Sequence, residues 1–526
     1  MPATAEPRTF RRPALIAAAV AAAAILAHLP SLRYGFVFDE QVLIADNPAV
    51  TAFDPRLIFA DKFWPGPARG LYYRPIVTLS YAAAYALVGA RPGLHHLLSL
   101  LFHAGAAVML FYLARRLLRR DAPAAAVGLL FAVLPIHVES VAWVPGRTDV
   151  LCAGFVAAAW LAVLRGRESD RRPLWLAAAS ALFILALGSK EVAVALPAFL
   201  LLYDFSAGRS GKKPAADYVV LAVTAALFLA WRAFVLAEPG PEPAPPALAG
   251  LGLVDRALAM AAIPGLAALK IVLPLPWRID YAYDWVAHTP AVTLPLALVA
   301  LGLATAGAVG LVRRRPWGLA LASFFLALAP VMHFVAFPNY FAERFLYLPS
   351  FFLLVALAAA LAPVLLRPGK VGPAVLVVLM VAMIGLSWTQ GRWFKDDLTF
   401  WSAAVRQRPD LASAHNWLGI ALQKRGELGR AEQEFQAALR LDPGHTVAAM
   451  NLAMVFYRTQ REAEAEALLK KLILAEPDNP DLHFNLAVVY GGLGKMDEGR
   501  EELRAVERLQ PDHPGLPALR NLLGGR

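Results

Sequence analysis

An all-α fold in two parts is predicted: a polytopic helical membrane domain over 1–395, then a solenoid of stacked helix pairs over 396–526. Three observations predict it. Of the 526 residues, 59% are hydrophobic and the mean hydropathy is +0.53, more than a single water-soluble core uses. Apolar runs of about 17–25 residues, the length that crosses a bilayer, recur through the first part. Pro409, Pro443, Pro477 and Pro511 then stand 34 residues apart, a period that marks repeated helix pairs.

Charge and cysteine usage narrow the class. The net charge is +11, but Lys and Arg sit in short clusters between apolar runs. They read as topology signals, so nucleic acid is not an expected partner. Cys152 is the single cysteine, which excludes an intrachain disulfide framework and a thiolate metal cluster. Arg8, Arg11 and Arg12 precede an Ala-rich run reaching Leu29. Ala-His-Leu makes a poor cleavage site there, so an uncleaved first span is expected.

The apolar runs lie near 13–32, 72–90, 93–118, 122–138, 149–164, 173–189, 191–206, 217–236, 251–275, 291–312, 317–336, 345–366 and 372–389. If all of them crossed, the Arg115–Arg120 cluster would fall on the side opposite Arg8–Arg12. The run 72–90 holds Tyr73, Arg74, Thr78, Ser80, Tyr81 and Tyr85, which suits a helix lying in the interface. The run 251–275 holds Asp255, Arg256, Pro264 and Lys270 and is set aside likewise as interfacial or re-entrant. About 11 spans remain, with the N-terminus inside and the C-terminus outside. The basic clusters 165–172, 209–213, 313–315 and 367–370 then all lie inside.

The repeats are tetratricopeptide-like (TPR). A half repeat covers 396–409, and full repeats cover 410–443, 444–477 and 478–511. Small residues recur at Gly419, Ala453 and Ala487, and again at Ala431, Ala465 and Gly499, as close helix packing requires. Asn451 and Asn485 share a repeat position with Trp417. Two readings stand for them: packing between repeats, or a groove whose asparagines hold an extended acceptor peptide. Such a solenoid implies a polypeptide client or partner protein.

The predicted outer loops collect the polar residues. Asp39 and Glu40 follow the first span, and Arg74 precedes the interfacial helix. His137, Glu139, Arg147 and Asp149 share one loop, Lys190 and Glu191 another, and Glu343 and Arg344 a third; Asp280 and Asp284 lie between. Ionisable groups at the ends of apolar helices are costly, so several on one side point to a substrate site. Each has a plainer alternative: Lys190 can snorkel and Glu191 can pair with it. A carboxylate at Asp39–Glu40 is placed to take the proton of an attacking hydroxyl. Nearby Arg and Lys would neutralise a departing phosphate. No nucleotide-binding glycine loop is present, so the sugar donor would be lipid-linked.

The acidic pair after the first span, the interfacial helix and the many spans resemble GT-C glycosyltransferases. The fused repeats, with HVESVAWVPGRTDVL (137–151), LGSKEVAVALPAFLLLYD (187–204) and ERFLYLPS (343–350), resemble the transmembrane-and-TPR protein O-mannosyltransferase family. The resemblance covers essentially the whole chain. It implies a GT-C-type helical domain, with Asp39 as catalytic base and Glu40 completing an Asp-Glu pair. Arg147, Lys190 and Arg344 would hold the donor phosphate. Arg74, His137, Glu139, Asp149, Glu191 and Glu343 remain substrate-site candidates. It further implies inverting transfer, mannose as the sugar, and neither a cofactor nor a metal. The Ala/Arg/Pro-rich composition points to a bacterium, hence an inner-membrane enzyme with a polyprenyl-phosphate sugar as donor and Ser/Thr of exported proteins as acceptor. Two rivals remain: transfer to a glycan or lipid acceptor, and a non-catalytic TPR scaffold that would not need Asp39, Lys190 and Arg344 to converge.

Overall fold

The computed structural model describes residues 11–64, 72–208, 215–237, 248, 251–273, 290–335, 339–365 and 371–524. Asp280 and Asp284, and the basic clusters at 209–213 and 367–370, lie outside the described residues. Two compact units result, Met1–Asp396 and Asp397–Arg526.

The described residues of the first unit are helical wherever they are regular. Its helices are α1 (Arg11–His28), α2 (Pro48–Thr51), α3 (Pro55–Ala60), α4 (Pro75–Val88), α5 (Pro92–Leu118), α6 (Asp121–Val133), α7 (Val138–Ala142) and α8 (Arg147–Gly166). There follow α9 (Arg172–Leu187), α10 (Leu196–Ser206), α11 (Ala215–Val235), α12 (Leu253–Val272), α13 (Pro290–Val312), α14 (Pro316–Leu328), α15 (Tyr347–Leu365) and α16 (Val371–Gly391). Every apolar run of the sequence contains one of these helices.

The count of eleven spans is not what helix length gives. Among the described residues, seven helices are long and apolar enough to cross a membrane. An eighth results if Asp121–Val133 and Pro135–Ala142, bent by 50°, form one span. The difference has local causes. The run 122–138 breaks because Pro135 lacks an N–H and pushes Leu134 to extended backbone (ψ 125). The run 191–206 opens with a 3₁₀ turn, Glu191–Ala195, and leaves only 11 residues of α-helix. That is about 16 Å at 1.5 Å per residue. The run 317–336 stops at Leu328. Hydropathy counts apolar residues in turns as readily as in helices, so the number of apolar runs and the number of long helices differ.

These breaks make the site. Three short non-α turns, at Pro135–His137, Glu191–Ala195 and Glu343–Leu346, interrupt apolar segments and carry charged side chains inward. Far from these turns, at the C-terminal end of α8, Arg167 bridges Asp204 of α10 and Asp217 of α11 at 2.7 Å each, and Arg172 reaches Asp217 at 2.7 Å. This network ties four helices, α8 to α11, at the end remote from the loops.

The second unit contains α17 (Asp397–Gln407), then the pairs α18 (Ala412–Lys424) and α19 (Leu428–Leu441), α20 (Thr446–Arg458) and α21 (Glu462–Ala475), and α22 (Pro480–Gly492) and α23 (Met496–Leu509). A last helix, α24 (Leu516–Leu523), buries Leu516, Leu519 and Leu523. Each repeat proline lies in the turn that ends one pair and precedes the next helix. The pattern of repeats one and three matches beyond the small residues. His415 bonds Glu434 at 2.6 Å and the Pro409 carbonyl at 3.1 Å. His483 repeats this with Glu502 at 2.5 Å and the Pro477 carbonyl at 2.9 Å. Asn451 donates to Asn416 Oδ1 at 3.0 Å, and Asn485 lies 3.8 Å from the Met450 sulfur. Both half-buried asparagines thus bridge adjacent repeats, which is the packing reading.

Candidate active site

The first loop is built around a backbone constraint. Phe38 adopts φ 55, the left-handed region that a bulky residue avoids. Glu40 holds that turn: its carboxylate accepts the Val37 N–H at 2.6 Å and the Val144 N–H at 2.5 Å, and its exposure is 0%. Glu40 therefore staples the loop to the start of α8. As a second catalytic acid it is misplaced, because both oxygens are spent on backbone donors.

Asp39 faces the other way. It is half-buried, and among the described residues it makes no hydrogen bond or ion pair. Burial pushes its carboxyl up to about 7, against the downward pull of the Arg344 guanidinium. Every other candidate carboxylate is engaged. Glu139 pairs with Arg344 through its side chain and also accepts the Arg344 N–H at 3.0 Å. Asp149 takes Lys190 Nζ at 2.5 Å and the Thr148 hydroxyl at 3.2 Å. Glu343 pairs with Lys270 of α12 at 3.0 Å.

Arg344 and Lys190 both contact one aromatic ring. The Phe345 ring centre is 5.1 Å from the Arg344 guanidinium and 5.3 Å from Lys190 Nζ. The Trp143 ring centre is 5.4 Å from Arg344. Asp39, Glu139 and Asp149 all act electrostatically on Arg344, so five charged groups from four loops form one cluster. Gly146 lets the loop that carries Glu139 and Asp149 fold back tightly on itself: a Cβ there would stand 2.5 Å from the Glu139 carbonyl.

A second group adjoins the first through the turn Lys190-Glu191. Glu191 pairs with Arg74 at 3.4 Å and with Arg232 of α11 at 3.8 Å. The Arg74 guanidinium lies over Tyr72 at 4.6 Å. Trp231 donates to the Tyr73 hydroxyl at 2.8 Å, tying this segment to α11. The sequence reading passed over Arg232. Its signal was available: it is the sole Lys or Arg from 214 to 255, on the end of its span where the charge rule expects none.

Two candidates lie elsewhere. Arg147, with 0% exposure, bonds Ser99 Oγ at 3.2 Å, Ser80 Oγ at 3.0 Å and the His95 carbonyl at 2.8 Å. Its charge rests over Tyr81 at 5.1 Å. It fastens α4 and α5 to α8 and has no free edge for a phosphate. His137 is also fully buried, with Nε2 3.0 Å from Ser350 Oγ, and does not face the charged cluster. Among the described residues no group of three His, Cys, Asp or Glu could hold a metal ion.

Residues 75–233 match the dolichyl-phosphate-mannose-protein mannosyltransferase family, and 422–483 and 462–523 each match a tetratricopeptide repeat. The chain is 24% identical to protein O-mannosyl-transferase TMTC3 of Mus musculus, over 96% of this chain and 60% of that protein. It is 32% identical to protein O-mannosyl-transferase Tmtc2 of Drosophila melanogaster, over 42% of this chain and 25% of that one. The chain is thus similar to transmembrane-and-TPR protein O-mannosyltransferases over most of its length. It spans about 60% of the length of TMTC3. Among solved structures, ArnT from Cupriavidus metallidurans bound to undecaprenyl phosphate aligns at 18% identity with a TM-score of 0.43, over 87% of this chain and 80% of that chain. The mannosyltransferase match takes in Glu139, Asp149, Lys190, Glu191 and Arg232, while Asp39 and Arg344 fall outside it.

Proposed function

We propose that this membrane protein transfers mannose from a polyprenyl-phosphate donor to Ser or Thr hydroxyls of exported proteins. The observation that carries the reading is the contrast among carboxylates. Among the described candidates, Glu40, Glu139, Asp149, Glu191 and Glu343 are consumed by ion pairs or backbone donors, whereas Asp39 makes no such bond and its carboxyl is pushed up to about 7. A general base works best with its pKa near the operating pH.

In the reaction, the acceptor oxygen attacks the anomeric carbon of the sugar. Asp39 takes the hydroxyl proton as the new C–O bond forms. The bond from that carbon to the phosphate oxygen breaks on the opposite face, inverting the centre, and polyprenyl phosphate leaves with the electron pair. Arg344 and Lys190 stabilise the charge on the leaving phosphate, with Arg74 and Arg232 as further cations beside them. Glu139 and Asp149 hold Arg344 and Lys190 in place. Arg147 and Glu40 build the loops.

The site lies on the outer face of a bacterial inner membrane, on the side assigned to the repeats by the charge pattern. The TPR unit brings a polypeptide client, raising its effective concentration at the site. The test is reconstitution in liposomes with radiolabelled polyprenyl-phosphate mannose and a Thr-rich peptide. Labelled peptide from the native protein but not from Asp39→Asn supports the reading. Equal labelling by both removes Asp39 from the mechanism, and no labelling by the native protein overturns the donor or acceptor assignment.

A further inference from the structure

Beneath the charged cluster lies a buried polar network that the proposed chemistry does not use. It comprises His103 of α5, His137 in the turn after α6, and Tyr347 and Ser350 at the start of α15. All four have 0% exposure. Burying polar groups is costly unless their bonds are complete, so a network here in an apolar bundle asks for a reason.

Its hydrogen bonds run one way. The Ala132 carbonyl can only accept, so His103 donates to it from Nε2 at 3.1 Å. Its Nδ1 then accepts the Tyr347 hydroxyl at 2.6 Å. Ser350 gives its single proton to the Tyr347 carbonyl at 2.8 Å. Its oxygen therefore accepts His137 Nε2–H at 3.0 Å. His103 is thus the neutral Nε2–H tautomer, fixed by both partners, and His137 carries a proton on Nε2. Rings close the rest: Tyr347 stands 4.5 Å from His137 and 5.1 Å from Phe131.

The network ties together the two segments whose ends form the site. His137 is two residues before Glu139, and Tyr347 is three residues after Arg344. We propose that the His103–Tyr347–Ser350–His137 network is a positioning device that sets Arg344 against Glu139 and Asp39. This inference rests on Asp39 acting as the base. The network touches no reacting atom and acts through Arg344.

The consequence is readable at Asp39. The groups that act electrostatically on Asp39 are Arg344 from the turn before α15 and Tyr81 of α4, and Tyr81 is in turn acted on by Arg147, Glu40 and Arg74. Arg344 is the one that pulls the Asp39 carboxyl down against burial. If Tyr347 loses its hydroxyl, the turn carrying Arg344 relaxes and that pull weakens. The Asp39 carboxyl then titrates at higher pH.

Dicyclohexylcarbodiimide, which modifies protonated carboxyls in apolar surroundings, reports this without any sugar donor. Mass spectrometry of the full chain in detergent gives Asp39 labelling against pH. In Tyr347→Phe the midpoint should rise by about one pH unit. Transfer at pH 7 should fall about fivefold and recover by about pH 9. A midpoint and acid limb unchanged in folded Tyr347→Phe overturn the proposal. So does loss of the thermal transition with labelling spread over many carboxyls, which would mean general structural support only. Should Tyr347→Phe fail to accumulate, Ser350→Ala removes the His137 acceptor and carries the same test. Because labelling needs no substrate, a wrong donor assignment leaves the result intact. Conversely, inactive Asp39→Asn with an unshifted Tyr347→Phe sinks the network alone.

Discussion

The free carboxyl of Asp39 makes the pH profile of the protein a direct test of its role. The perturbation is pH alone. With the carboxyl pushed up to about 7 by burial, the ionised fraction is roughly 9% at pH 6 and 91% at pH 8. Only the ionised form can accept the acceptor proton, so the limb rises with pH. Turnover at saturating substrates should therefore increase about tenfold from pH 6 to pH 8. An ordinary exposed aspartate, near 3.9, would give a flat profile over this interval. The assay is initial-rate peptide mannosylation in liposomes, with Asp39→Asn as baseline. That variant should lose roughly 10²–10⁴-fold in turnover. It should also melt no lower than the native protein at pH 8, where the native chain must keep a desolvated charge that Asn lacks. A pH-independent rate between 6 and 8, with Asp39→Asn inactive, would refute the argument that burial tunes this group.

The remaining predictions separate building from binding. Arg147→Met strands buried acceptors at Ser80, Ser99 and His95, at about 1–3 kcal/mol apiece, so it should lower the yield and melting temperature of folded protein; a stable variant with weakened donor binding would return Arg147 to the phosphate. Lys190→Met should weaken binding of polyprenyl-phosphate mannose, measured by microscale thermophoresis, while Asp149 is left without its partner; unchanged affinity would favour a purely structural pair. Gly146→Ala forces its Cβ onto the Glu139 carbonyl, so it should cut turnover about tenfold or more through displaced geometry, with peptide KM little changed. Deleting 410–526 should raise KM for a long protein acceptor far more than for a short peptide; equal loss on both would mean that the repeats only stabilise the protein.

The residue types at the site were legible because membranes make them conspicuous. A charged side chain between apolar runs stands out, and Asp39, Glu139, Asp149, Lys190, Glu191 and Arg344 were all found that way. Arg232 was not singled out, although a lone Arg at the outer end of a span is a signal the sequence carries. Hydropathy also located a helix in every apolar run, and the proline period located the helix pairs. The eleven expected spans exceed the seven long helices among the described residues because composition does not register a 3₁₀ turn or a break at Leu134-Pro135.

What the sequence determined alone was what is local or periodic: the apolar runs, the 34-residue repeat and the set of ionisable residues in the loops. Partner choice was decided by the tertiary structure. Asp39 and Glu40 are neighbours of like chemistry, yet one points to the cluster and the other to the Val144 N–H. Arg147 and Arg344 are both loop arginines beside apolar helices, yet one is sealed by Ser80, Ser99 and His95, and the other faces Asp39. Asn451 could have faced a peptide and instead bridges to Asn416. The physical reason is common to all three. A buried polar group takes whichever partner the packing brings within about 3 Å, and that distance spans residues far apart in the chain.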